Sequence, residues 1–381
     1  MTFVLEREMQ RVLDNPSMAY SFPSYFYTSE EVYNSELERI FYKKWLVVGH
    51  ISQLHEPGSL LPMTIGNRAI LVTRSVNGKI QAFYNVCTHR GTKLVNESKT
   101  VSNIQCPYHA WTFNLDGRLI GCPDFERYSG FKKEDYSLYP VKLQLWRGFI
   151  FVNLDPDCEP LESFLGDFEE RFGRYDTEEM VYIGGLRYEV NSDWKVAVEN
   201  GNECYHCPTV HPETLKPFYR DHSAYDQTRI RGNYTLFQWK DYIASTKTRD
   251  AGQLNSLKTL GLSESDVEDN CLQMPNTFPN CQFNFSPSWA NTLIPWPAGP
   301  RKCRVTFDFF AHKWKGCVDD ASEALKWIDF VLKQDWRICE QQQAGLNSEV
   351  FVGGKVNELE NVINHFHGLY LQAMSDDPAL K

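Results

Sequence analysis

The chain has 381 residues, 11 cysteines and a formal net charge of −10. That length allows two domains of ordinary size, each with its own core. The acidic balance excludes nucleic acid and an anionic membrane as partners, since both reward clustered Lys and Arg. The opening MTFVLEREMQRVLDN mixes charges into any would-be apolar leader, and no later run approaches the about 18 apolar residues of a membrane span. A cytoplasmic protein with mostly reduced, buried thiols is expected.

In chain order, RAILVTRSVNGKIQAFYNVC sets two β-branched and aromatic runs either side of Asn77-Gly78, a strong hairpin signal. Cys87-Thr88-His89 follows directly, then Cys106-Pro107-Tyr108-His109, then a second hairpin turn at Asp116-Gly117. Two thiols and two imidazoles in tight pairs are what one Rieske-type [2Fe–2S] cluster requires, with Cys₂ on one iron and His₂ on the other. A Cys₂His₂ zinc site competes, although it usually orders its ligands differently. YPVKLQLWRGFIFVNLDPD adds two strands and runs into a Pro/Asp-rich stretch at Asp155 to Pro160, the candidate domain boundary.

Downstream the texture becomes α+β. NSDWKVAVENGNECYHCPTVHPETL predicts a helix from near Asp193 that ends at Cys207, because Pro208 disfavours helical geometry there. His206 would then close the helix and His211 return on the following turn. Two such imidazoles suit Fe(II), Zn or Cu, and one carboxylate would complete a facial triad. In isolation a histidine beside a proline is more often a core or loop residue. Cys204 and Cys207 with the two histidines also offer a zinc spacing, or are simply buried thiols. In DDASEALKWIDFVLKQDWRICEQQQAGL, Asp320 with Glu323 reads as a capping pair and Gly345 as the end signal. The apolar stripe runs Leu325, Ile328, Val331 or Leu332, then Ile338 or Cys339, and Asp335 falls in its line. A buried carboxylate needs a partner; metal ligation, a salt bridge and a helix rotated toward water all remain open for it.

Taken together, CTHRG, CPYHAWTFNLDGRL, ENGNECYHCPTVHP and QDWRICEQQQAGL resemble the α subunits of Rieske non-haem iron oxygenases, over about Phe41 to Tyr370. The resemblance implies an α+β chain. Residues 1–40 would be a helical segment packed on the catalytic domain, 41–155 an all-β Rieske domain, and 156–381 a catalytic domain with an antiparallel sheet flanked by helices. It assigns Cys87, His89, Cys106 and His109 to the cluster, and His206, His211 and Asp335 to one Fe(2+) per subunit. It also makes Glu203 an electron bridge from a neighbour's His109 to His206 within a homotrimer. Electrons would come from a separate NAD(P)H-dependent reductase, since no Gly-rich dinucleotide motif is visible in the chain. Many members carry Asp where Glu203 stands, and Glu in the ECYHC context is similar to the branch that oxidises choline, carnitine and betaines. The implied activity is hydroxylation of a C–H bond of a small quaternary ammonium compound with O₂, often with demethylation or C–N cleavage. The alternatives are a hydroxylase or demethylase of an aromatic substrate and an electron-transfer-only Rieske protein.

Substrate contacts are drawn from Tyr205 and from the strand-like stretch CQFNFSPSWANTLIPWPAGPRKCRVTFDFF, where Phe283, Phe285, Trp289 and Trp296 are the aromatic candidates. Aromatic faces attract a quaternary ammonium, but the same residues serve equally as strand packing. Arg301 or Arg304 is expected to supply a counter-charge for a substrate carboxylate if either points inward.

Overall fold

The computed structural model describes residues 20–216, 229–237, 273–312 and 322–375; Asp320, half of the expected capping pair, lies outside them. The chain divides into two compact units, one spanning Tyr42–Leu161 and the other combining the chain up to Phe41 with Glu162 onward. Among the described residues no helix is long and apolar enough to cross a membrane.

The Tyr42–Leu161 unit is all-β apart from short turns. Its strands are β1 (Leu46–His50), β2 (Ser59–Ile65), β3 (Arg68–Arg74), β4 (Ile80–Tyr84), β5 (Lys99–Thr100), β6 (Ile104–Gln105), β7 (Thr112–Phe113), β8 (Leu119–Gly121), β9 (Pro140–Trp146) and β10 (Phe149–Asn153). They form a seven-stranded sheet in the order β1-β10-β9-β4-β3-β2-β5 and a three-stranded sheet β6-β7-β8. The Asn77-Gly78 signal makes the β3–β4 hairpin, with Arg74 opposite Ile80 and Gly78 at φ +84°. Arg147 and Gly148 both take positive φ between Trp146 and Phe149, the primed-turn geometry that matches strand twist. At Asp116-Gly117, the glycine has φ +79° and a Cβ there would stand 2.6 Å from the Phe83 ring, so only glycine lets the turn pack so closely. The core gathers Leu71, Phe83, Trp111 and Phe113 around the buried Cys87 and Cys106.

The second unit is built on a six-stranded antiparallel sheet, ordered β11-β16-β15-β14-β13-β12. These strands are β11 (Val181–Val190), β12 (Tyr234–Phe237), β13 (Met274–Thr277), β14 (Cys281–Phe285), β15 (Trp289–Gly299) and β16 (Lys302–Ala311). The helices are α1 (Tyr25–Thr28), α2 (Glu30–Glu36), α3 (Leu161–Leu165), α4 (Phe168–Phe172), α5 (Trp194–Gly201), α6 (Cys207–Val210), α7 (Ser322–Leu346) and α8 (Asn361–Met374). Leu161 itself is the last residue of the first unit.

Strand alternation gives the sheet two different faces. Phe283 and Phe285 of β14 point toward Phe168 and Phe172 of α4. Gln282, Leu293 and Pro295, on the other face, meet Ala197 and Val198 of α5 along a cleft. On that same face α7 runs along β11, where Tyr188 hydrogen-bonds Asp329 and packs on Trp336. Helix α5 is anchored behind by a buried charge network. The Lys195 ammonium lies 2.5 Å from Glu36 and 2.7 Å from Asp193, and Glu36 also accepts from the Trp194 indole and the Tyr370 hydroxyl at 2.7 Å each.

Candidate metal centres

Two loops of similar design carry the first constellation. In one, the Gly91 N–H bonds the Cys87 carbonyl at 2.9 Å and the Cys87 N–H bonds Thr92 at 2.8 Å. In the other, the Ala110 N–H bonds the Cys106 carbonyl at 3.1 Å and the Cys106 N–H bonds Trp111 at 2.8 Å. Each loop turns on a residue with positive φ, Gly91 at +74° and Ala110 at +56°. The two thiols are 2% exposed and adjacent, and the His89 and His109 rings stand 4.8 Å apart, His89 stacked on Trp111. Burial pushes the Cys87 thiol up, against backbone N–H donors from His89 and Arg90 that stabilise the thiolate. Burial, then the facing His109 and Arg90, holds His89 below the usual histidine range, which favours the neutral ring. The Nδ1 atoms of His89 and His109 are both buried without a hydrogen-bond partner among the described residues. Two soft sulfurs and two unpaired ring nitrogens fit the donor set of a Rieske cluster, while protein hydrogen bonds alone leave them unsatisfied.

The second constellation differs from its expected local structure. Helix α5 stops at Gly201, where a Cβ would come 2.5 Å from Gln282, and Asn202 closes it by bonding Val198 at 2.9 Å. Pro208 therefore does not end this helix. It sits in the first turn of the separate α6, the position where a missing N–H costs nothing, and His206 is the cap residue before it. Glu203 lies in the link between the helices. Its carboxylate accepts the backbone N–H groups of Tyr205 and His206, and its Oε1 lies 2.5 Å from His206 Nδ1.

Asp335 is buried on α7, and its Oδ1 lies 2.8 Å from His211 Nε2 and 3.4 Å from His206 Nε2. Three lone-pair donors thus converge from two distant stretches of chain. Burial pushes the Asp335 carboxyl up, but the two histidines outweigh it and hold the carboxyl below the usual range. Burial alone would lower His206, yet Asp335 and Glu203 raise it to about 9. A cation among these atoms would take the same lone pairs. Cys207 also lies near both histidines, but it is joined to Cys204 in a disulfide. That pairing removes the thiolates a zinc site would need and corrects the expectation that these two cysteines are reduced. Gln334, which the sequence reading missed, accepts from His211 Nδ1 at 2.8 Å. Only its place beside Asp335 signalled it.

The aromatic candidates separate by strand face. Phe283 and Phe285 are fully buried against α4 and turn away from α5, and the register puts Trp296 on their side. None of these three stands on the face shared by α5 and α7, because each falls one residue out of phase with Leu293. Trp289 is on that face, stacked on Phe309, and Tyr205 is 52% exposed between Cys204 and His206. Arg304 stands on the Phe283 side, opposite Trp296, while Arg301 donates to the Thr28 carbonyl and approaches Glu349. Neither supplies the expected counter-charge. The cleft beside α5 is bordered by none of His206, His211 and Asp335.

Residues 44–137 match the family described as Rieske [2Fe-2S] domain, and residues 177–376 match the ring hydroxylating alpha subunit (catalytic domain). The carnitine monooxygenase oxygenase subunit of Acinetobacter pittii is 38% identical over 345 residues, covering 89% of this chain and 88% of that one. The glycine betaine monooxygenase oxygenase subunit of Pseudomonas aeruginosa is 28% identical, covering 88% and 84%. Among solved structures, the quaternary ammonium Rieske monooxygenase CntA in complex with L-carnitine superposes with a TM-score of 0.78 at 27% identity, over 95% of this chain and 97% of that one.

Proposed function

We propose that this chain, which belongs to the α subunits of Rieske-type ring-hydroxylating oxygenases, is the terminal monooxygenase for a small quaternary ammonium compound. The observation that carries the reading is the meeting of His206 Nε2, His211 Nε2 and Asp335 Oδ1 in a chain that also bears the Cys87, His89, Cys106 and His109 donors. Its substrate class is supported by relatives that act on carnitine and glycine betaine.

Cys87, Cys106, His89 and His109 would hold the [2Fe–2S] cluster, and His206, His211 and Asp335 the mononuclear iron. When bound, the two centres supply electrons and O₂ activation for hydroxylating a C–H bond. The protein's own part is to hold the ligands in one protonation state. Accepting the Nδ1–H of His206, Glu203 turns the ring's Nε2 toward Asp335, where a bound iron would displace the proton and take the lone pair, and Gln334 does the same for His211. Glu203, its side chain 11% exposed and already bound to His206, would receive a second histidine from outside. We assign that partner to His109 of a neighbouring copy in a homotrimer; transfer between copies is supported by the inter-subunit electron transfer described for a quaternary ammonium Rieske monooxygenase of similar structure. A separate NAD(P)H-dependent reductase and a cytoplasmic setting complete the proposal.

The test is metal analysis and turnover of protein purified without oxygen. About three irons per chain are expected, two of them in the cluster, with NAD(P)H- and O₂-dependent oxidation of one member of a panel of choline, glycine betaine, carnitine and proline betaine. Turnover confined to neutral aromatic methyl ethers or amines would refute the substrate class, and zinc without iron would refute the oxygenase.

A further inference from the structure

Helix α7 carries two different lines of side chains. Asp335 turns to the histidines, while Asp329 and Trp336, two turns apart and hence on one side of the helix, both meet Tyr188 of β11. Trp336 directly follows Asp335 in the chain, is 6% exposed, and its ring centroid stands 5.9 Å from that of Tyr188. The Tyr188 hydroxyl donates to Asp329 Oδ1 at 2.7 Å, and the Lys333 ammonium holds Asp329 Oδ2 at 2.6 Å. The Asp329 side chain is 29% exposed. Starting beside Asp335, an indole, a phenol and a carboxylate therefore follow one another from the interior to water.

The protonation states along this line are set by its own neighbours. Burial, then the Asp329 carboxylate, holds the Tyr188 phenol well above the usual tyrosine range, so it stays protonated. Burial pushes the Asp329 carboxyl up, but Lys333 and Tyr188 outweigh it and hold the carboxyl below its usual range, so it stays ionised. An O–H facing an ionised carboxylate at this distance meets the geometric requirement for proton transfer to a base. A phenol that loses an electron becomes a strong acid, and leaving its positive charge unpaired inside the protein would be costly; Asp329 is where that proton can go. Tyr27, Tyr234 and Tyr370 also donate to carboxylates, but they are at most 2% exposed. Among the described residues, Tyr188 is the tyrosine that joins such a pair to the aromatic next to a triad residue and to the surface.

We propose that Trp336 and Tyr188, with Asp329 as base, form a discharge path that draws oxidising equivalents away from the iron site when O₂ is reduced there with no substrate C–H bond to attack. This rests on the function proposed above and adds a protective activity to it. Trp336 gives one electron to the oxidant made from O₂. Tyr188 then refills Trp336: its O–H bond breaks, the electron passes to the indole and the proton to Asp329. A solution thiol gives a hydrogen atom to the Tyr188 oxygen, its S–H bond breaking and its sulfur ending as half of a disulfide, and Asp329 returns its proton to water. The net change is one electron from a thiol to the oxidant, with all three side chains restored. Without the path, the oxidant is left to the iron ligands and to Cys339, one turn beyond Asp335 on α7.

The experiment exposes the full chain, with both iron centres loaded and reduced, to O₂ in the absence of substrate; samples are frozen for EPR and digested for mass spectrometry. Wild type should give a tyrosyl radical signal that an added thiol quenches. Tyr188→Phe keeps the ring packing and should remove that signal. Asp329→Asn keeps both rings and should slow its appearance by about 100-fold, the loss expected of a positioned base. Both variants should gain oxidation at His206, His211 and Cys339 relative to wild type. A wild type that reduces O₂ without a tyrosyl signal overturns the proposal, as does a signal unchanged in either variant with cluster spectrum and iron content intact. Wild-type protein that holds iron but reduces no O₂, with or without a quaternary ammonium compound, overturns the functional reading and this inference with it.

Discussion

The two donor sets of this chain are assembled in opposite ways. Cys87, His89, Cys106 and His109 come from one short stretch, and each loop is closed by its own backbone bonds between Cys87 and Thr92 or Cys106 and Trp111. His206 and His211 come from one stretch but wait on Asp335, which α7 brings from far along the chain. Their orientation depends on side-chain neighbours, Glu203 and Gln334, instead of on a loop's own backbone. The first site is a local object held by a turn; the second exists only while α5, α7 and the sheet keep their packing.

The sharpest way to break that comparison is to remove one donor from each site. Asp335→Ala should abolish turnover and the third iron while the cluster spectrum persists. His109→Cys should alter or abolish the Rieske signal and leave mononuclear iron in place. Loss of both centres in either variant would mean that the sites are not independent.

A second effect should fall on the packing alone. Lys195 is fully buried between Glu36 and Asp193, so Lys195→Met leaves two carboxylates without their cation. That should cost about 3–5 kcal/mol. Calorimetry should show the transition of the sheet-and-helix unit moving down while bleaching of the cluster keeps its midpoint. Joint movement of the two would contradict separate stabilities.

Smaller effects test the neighbours of the histidines. Glu203→Gln removes charge but keeps size, and single-turnover oxidation of the cluster should slow by about 10- to 100-fold with iron content retained. Unchanged rates, or a monomer in solution, would rule out transfer between copies. Gln334→Leu should weaken Co(II) binding to the metal-free site by about tenfold, with Gln334→Glu restoring it. Equal affinity in all three proteins would show that His211 is oriented by packing alone.

The cluster was legible because its chemistry lies within a few residues of hairpin signals that are themselves local, Asn77-Gly78 and Asp116-Gly117. Asp335 was legible only as an anomaly in an apolar stripe, and its partners could not be read from periodicity. The end of α5 was misjudged for a physical reason. Proline disfavours a helix before it but is welcome in the first turn of a new one, and here α5 has already closed at Asn202, which bonds back to Val198, so the second case applies. Phe283, Phe285 and Trp296 look no different from Trp289 in composition, and a one-residue phase difference sends them to the other face.

The sequence by itself determined the donor types, the two-domain α+β order and the kinship with Rieske oxygenases, because these follow from residue identity, spacing and turn chemistry. The tertiary structure alone decided which carboxylate meets which imidazole and which amide orients His211. Those are contacts between residues far apart in the chain, fixed by the packing of helices on a sheet, and no local preference of either partner encodes them.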